Sequence, residues 1–158
     1  MFLKIIGSLL LVGSSVGIAL YLNRAEEYKL SYADGWIAMI RYVKAQVECY
    51  SLPAEDILLN CDKDLFRRCG YISDPPPDSL EMLSEAANKG DADIGNTVRA
   101  FFSEFGRCYR EEQVKRCTYC LSVLEGRRGE LKEQLPVKKR MNLTLFISGS
   151  LILAIIFL

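Results

Sequence analysis

The amino-acid sequence predicts an all-α protein, with two transmembrane helices flanking a cytoplasmic helical domain of two long antiparallel helices and several short ones. Three observations carry this reading. Nearly all charge is withheld from both ends of the chain, apolar residues in the middle recur at spacings of three and four, and no alternating strand pattern of useful length occurs.

The first span is expected at 2–22, where Lys4 is the only charge and 18 uncharged residues follow it. At about 1.5 Å per residue this crosses roughly 30 Å of hydrocarbon. A cleaved signal peptide is the rival reading, with Gly17-Ile18-Ala19 as a loose small-residue site. The run is longer than a usual signal core, and a second span would still need explaining. That second span is expected at 141–158, directly after Lys138, Lys139 and Arg140. Positive groups beside a span stay on the cytoplasmic side, so this triplet, with Arg127, Arg128 and Lys132 behind it, places 23–140 inside and both termini outside. Gly13 and Gly17 on the first span, and Gly149 between Ser148 and Ser150 on the second, offer small surfaces for close helix packing.

Within 23–140 a helix continuing out of the first span carries Trp36, Ile40, Val43, Val47 and Tyr50 on one stripe and stops before Pro53. Val114, Cys117, Leu121, Leu124, Leu131 and Leu135 form a second stripe, interrupted by Arg128, and Pro136 is expected to close that helix. The two stripes can bury each other as an antiparallel pair, or pack on the shorter helices between them. Those helices are punctuated by Pro53, Gly70, the Pro75-Pro76-Pro77 linker, Gly90 and Gly106. Asp78 or Ser79 is expected to cap a helix running to Lys89, and Asp93 the next one, whose Ile94, Val98, Phe101, Phe102 and Phe105 make an aromatic face ending at Gly106. Such a domain can bury a core without disulfides or metals.

The stretch 23–140 holds 19 basic and 20 acidic residues, a balance unlike that of a nucleic-acid-binding domain. The chain has no histidine, which removes Ser-His and Cys-His pairs and histidine-liganded metals. Six cysteines stand at 49, 61, 69, 108, 117 and 120. A reducing compartment keeps them as thiols, and Cys117-Thr118-Tyr119-Cys120 falls inside a helix where no dipole stabilises a thiolate. No metal or cofactor is expected. Glu55-Asp56 and Glu111-Glu112 fit the first turns of helices, where the dipole favours acids.

Leu3-Lys4-Ile5-Ile6-Gly7, Leu52-Pro53-Ala54-Glu55, and Phe105-Gly106 followed by Gln113 carry a resemblance to a known family. With the placement of the spans, the chain resembles the stage III sporulation protein AB family, which is related to the F-type platform proteins of type II secretion systems. The departures are an exchange of Ala54 and Glu55 in the second motif, Tyr109 where an Asp is expected, and the cysteines and proline linker. The resemblance implies a non-enzymatic membrane scaffold of a secretion-like sporulation channel, in the mother-cell membrane around the forespore. It implies a cognate secretion-type ATPase, similar to stage III sporulation protein AA, and other membrane components as partners, with no nucleic acid. By the same resemblance Glu55, Glu111, Glu112 and Gln113 are candidate partner-binding residues, although caps and turns explain them equally well. A cytosolic thiol- or zinc-dependent enzyme and a generic two-span adaptor are the competing functions.

Overall fold

The computed structural model describes the backbone of residues 2–50 and 53–157, and all their side chains except those of residues 2–6, 8, 9, 54, 55, 89 and 157. Among the described residues there is no strand. The helices are α1 (Phe2–Tyr50), α2 (Ala54–Leu59), α3 (Lys63–Arg68), α4 (Leu80–Ala86), α5 (Ala92–Ser103) and α6 (Arg110–Phe157), with a 3-10 turn at Ala87–Lys89. The chain divides into two compact units, a central one of Lys29–Glu130 and another of Met1–Tyr28 with Leu131–Leu158. The central unit therefore begins and ends inside the expected 23–140.

In the central unit Trp36, Ile40, Val43 and Val47 of α1 are all buried, joined by Tyr32 and Met39. Full burial of each large side chain contributes about 1.5–3 kcal/mol. Tyr50 departs from the expected stripe: it is 69% exposed at the end of the helix. On α6 the buried set is Cys117, Cys120 and Leu124, whereas Val114 and Leu121 are only half-buried. The seam is thus turned toward Cys120, a small side chain that packs as a hydrophobe. Arg41 meets Glu125 at 2.6 Å and Arg128 meets Asp34 at 2.5 Å, so residues rising along α1 pair with residues falling along α6. Arg128, which breaks the apolar repeat, is an anchor of the antiparallel pair.

The short helices are set by their caps. Asp62 accepts from the Asp64 N–H at 3.0 Å and Ser79 from the Met82 N–H at 3.2 Å. The helix that Ser79 starts does not run to Lys89 as α-helix; it stops at Ala86 and tightens into the 3-10 turn. The cap of α5 is Asp91 and not Asp93. Asp91 accepts from the N–H groups of Asp93 and Ile94 and also from Arg127 of α6, while Asp93 sits in the first turn and meets the same guanidinium at 3.0 Å. Helix α5 ends at Ser103, short of Gly106, because Gly106 closes the following turn at φ +80°. Phe105 lies past the helix yet stays in the aromatic cluster, 5.6 Å from Phe101 and 6.4 Å from Phe102. A Cβ on Gly35 would collide with the Arg68 carbonyl, so glycine is what lets α1 and the end of α3 touch.

In the other unit α1 presents Ser15, Ala19 and Asn23 as a buried row at a spacing of four. Asn142 donates to Asn23 at 3.2 Å, Lys138 pairs with Glu26 at 3.1 Å, and Lys139 pairs with Glu27. Helix α6 continues through Pro136, against the expectation that it ends there. Proline removes the bond to the carbonyl four residues back. Buried Leu131 before it, and the contacts of Lys138, Lys139 and Asn142 after it, hold both flanks helical. Among the described residues α6 is the one helix long and apolar enough to cross a membrane, and its apolar stretch is mostly exposed. The expected span at 2–22 falls in α1, where several side chains lie outside the described set.

Leu124→Ala should lower the unfolding free energy of the detergent-solubilised chain by about 2–5 kcal/mol, and Leu121→Ala by distinctly less, in urea unfolding followed by circular dichroism. Equal effects would contradict the observed turn of the α6 seam.

Burial alone would raise the Asp91 pKa, but the Arg127 guanidinium and the two capping N–H groups outweigh it and hold the carboxyl below its ordinary 3.8. A depressed folded pKa stabilises the fold above the unfolded value and is lost as pH falls through the folded one. Asp91→Ala should therefore cost about 1–2 kcal/mol at pH 7, as for a lost cap. In melting curves from pH 7 to pH 2 the gap between variant and parent should narrow below pH 3.8.

Candidate functional site

The N-terminal turn of α6 gathers three of the four candidate partner-binding residues, Glu111, Glu112 and Gln113. Glu111 and Glu112 occupy that first turn, where the helix dipole favours them, and both are exposed. Glu112 pairs with Arg116 at 3.1 Å, and Arg116 also reaches Glu104. Glu111 has no ion pair among the described residues, which leaves its carboxylate open to a partner. Just before it, Arg110 donates to the carbonyls of Val47 and Glu48, binding the start of α6 to the last turn of α1.

Gln113 is a correction to the sequence reading. Expected as a candidate contact, it is only 4% exposed. Its Oε1 accepts from the Gly106 N–H at 3.3 Å and from the Cys108 thiol at 3.1 Å. The Phe105-Gly106…Gln113 spacing is thus a turn lock, with glycine supplying the positive φ and the amide fastening it. Glu55 lies in the first turn of α2, and its side chain is outside the described residues.

Among the described residues, a Cβ added to Gly13, Gly17 or Gly149 meets nothing within 4 Å. Small residues do line the α1 side of the seam, but they are Ser15 and Ala19. Two residues along a helix is about 200° around it, which puts the glycine pair on the far side. Asn23, bonded to Asn142, stands in line with Ala19 and Ser15, four and eight residues before it, and marks the buried row. The seam hydroxyls are satisfied locally, Ser15 donating to the Val12 carbonyl at 2.7 Å and Ser150 to that of Ile147 at 2.9 Å.

The cysteines are free thiols in the structure, with Cys69, Cys117 and Cys120 buried and Cys49 exposed. Burial pushes Cys61 and Cys117 up to about 11 and Cys120 to about 12, and it raises Cys69 further still. Near neutrality these four groups carry protons, which makes them poor nucleophiles. Among the described residues no group of three or more Cys, Asp or Glu is placed to hold a metal ion. Two features had no usable sequence signal: Cys120 as a core position, and the convergence of Asp91, Asp93 and Glu130 on Arg127. No family model, curated protein or solved structure matches the chain.

In the native, detergent-solubilised chain at pH 7.5, a thiol reagent should modify Cys49 quickly and leave Cys69, Cys117 and Cys120 unmodified until denaturant is added, as read by mass spectrometry of the labelled peptides. Fast labelling of Cys117 or Cys120 in the folded chain would contradict their burial.

Proposed function

We propose that the chain is a non-enzymatic, two-pass membrane platform, with residues 24–140 in the cytoplasm and both termini outside, that docks a secretion-type ATPase to a sporulation channel complex. The observation that carries the reading is the ladder Asn23–Asn142, Glu26–Lys138 and Glu27–Lys139, which joins α1 to α6 directly where each apolar stretch gives way to charge. Two spans need such a junction, since paired charges and amides are tolerated at the interface and expensive in the hydrocarbon. Both long helices extend from the apolar stretches into the central unit, so whatever binds that unit is bound to the membrane helices through continuous backbone. The family resemblance supplies the ATPase and the sporulation setting. The exposed first turn of α6, with Glu111 open, offers a contact for it. Against the thiol-enzyme alternative stand the raised pKa values of Cys61, Cys69, Cys117 and Cys120 and the burial of the last three.

In intact cells a membrane-impermeant maleimide should leave exposed Cys49 unlabelled and should label it after permeabilisation. The solubilised protein should capture the cognate ATPase in a pull-down, more weakly with Glu111→Lys. Labelling of Cys49 without permeabilisation would overturn the topology, and failure to retain the ATPase would overturn the docking role.

A further inference from the structure

In the unit that holds the ends of the two long helices, Asn23–Asn142 and Glu27–Lys139 fix α1 and α6 in one register. The stretches 20–28 and 136–145 around these contacts carry six charges: Arg24, Glu26, Glu27, Lys138, Lys139 and Arg140. Lys138 holds Glu26 and Lys139 holds Glu27, so two positive charges are left over. They are Arg24 and Arg140, both exposed and without an ion pair among the described residues. Glu27 is within electrostatic reach of Arg24, yet its carboxylate is held by Lys139.

Helix geometry puts the two arginines on one flank of the pair. Passing from Glu26–Lys138 to Glu27–Lys139 crosses the seam to one side. At about 100° per residue, Arg24 lies about 60° farther in that direction around α1, and Arg140 about 100° farther around α6. Each also falls between the Asn23–Asn142 and Glu27–Lys139 contacts along its own helix, so the two stand at one level. Leu20, four residues before Arg24, and Leu143, three after Arg140, continue the same flank into the apolar stretches, and both are exposed. One surface therefore presents two free guanidinium groups directly above uncovered aliphatic side chains.

We propose that this flank binds an acidic phospholipid of the inner leaflet, with its phosphodiester between Arg24 and Arg140 and an acyl chain over Leu20 and Leu143. The inference deepens the platform reading, on which it rests for the two helices lying in a bilayer. The occupant is selected by both halves of the surface. A guanidinium presents paired N–H donors to two phosphate oxygens and is more weakly hydrated than an ammonium. Packed helix axes stand about 8–10 Å apart, within the reach of two arginine side chains closing on one headgroup from either side. A free anion leaves Leu20 and Leu143 uncovered, whereas a lipid covers them with the hydrocarbon attached to its own phosphate. A zwitterionic headgroup brings a cation to a site that already holds two, so the acidic lipid is favoured.

The test is electron spin resonance of spin-labelled phosphatidylglycerol and phosphatidylcholine around the full chain reconstituted in phosphatidylcholine bilayers, where the immobilised fraction of each label gives their relative affinity. The parent should prefer phosphatidylglycerol by about fivefold or more, and Arg24→Gln/Arg140→Gln should abolish the preference. Because both arginines are exposed and unpaired, that variant should melt at the parent temperature, which separates lost binding from lost fold. The charge-preserving Arg24→Lys/Arg140→Lys variant should keep most of the preference. So should Lys132→Gln, which removes an exposed charge eight residues before Arg140, about 12 Å farther from the apolar stretch. Absence of a preference in the parent, its survival in the double glutamine variant, or an equal loss in Lys132→Gln would overturn the proposal. Its removal by soluble glycerol phosphate would assign the arginines to a free anion and overturn the lipid. If phosphatidylglycerol is preferred but Cys49 is labelled in intact cells, the topology is wrong and lipid binding at the arginines stands. If Cys49 is protected and no preference is seen, the lipid assignment fails and the topology stands.

Discussion

The burial of Trp36 is the interaction on which the central unit depends. The indole is fully buried and stands edge-on to Tyr32 and to Phe102, each at 6.2 Å. Tyr32 donates to the Ala86 carbonyl at 3.2 Å, and Phe102 continues the cluster to Phe101 and Phe105. One aromatic chain therefore ties α1 to the end of α4 and to α5. The indole N–H has no acceptor among the described residues, which costs on the order of 1–3 kcal/mol. Burial of the ring and its edge-on contacts offset that cost. With the ring in place, Gly35 must be bare for the end of α3 to approach, and the small Cys117 and Cys120 are what α6 buries.

Electrostatics fix the directions that packing alone leaves open. Of the basic residues near the second apolar stretch, Arg127, Arg128, Lys138 and Lys139 all end in ion pairs with Asp91, Asp34, Glu26 and Glu27. Under the proposed two-pass topology the same side chains would serve twice, as orienting charges beside the second span and as the register of the helix pair, because orientation responds to Lys and Arg near a span and only weakly to acids.

Helix identity was legible because the periodicity is strong. The Trp36 to Val47 stripe, the Ser79 cap and the first-turn acids of α6 all follow from residue type and spacing. What could not be read was decided by contacts distant in sequence. Asp91 and not Asp93 is the cap because it stands in extended backbone just before the helix and its carboxylate reaches the N–H groups of Asp93 and Ile94, while Arg127 pairs with both acids. Pro136 fails to end α6 because the helix is held on both sides by α1. Gln113 turned inward because the turn at Gly106 to Cys108 offered it two donors, whereas composition only marked it as polar. For the candidate site, the exposed acids at 111 and 112 were visible in the sequence, while the bonds from Arg110 to the end of α1 were not, since they join residues more than 60 positions apart.

The clasp between Arg110 and the last carbonyls of α1 has a bearing on how such a chain can diverge. It brings together the two ends of the excursion that contains α2 to α5, so that excursion is a closed loop in polymer terms. Closing a loop twice as long costs only about 0.6 kcal/mol more. Segments far from the aromatic cluster, such as the exposed stretch around Ile72 to Pro76, can therefore gain or lose residues with little effect on the two long helices. Natural variants of this architecture should differ most in that stretch and least at the clasp.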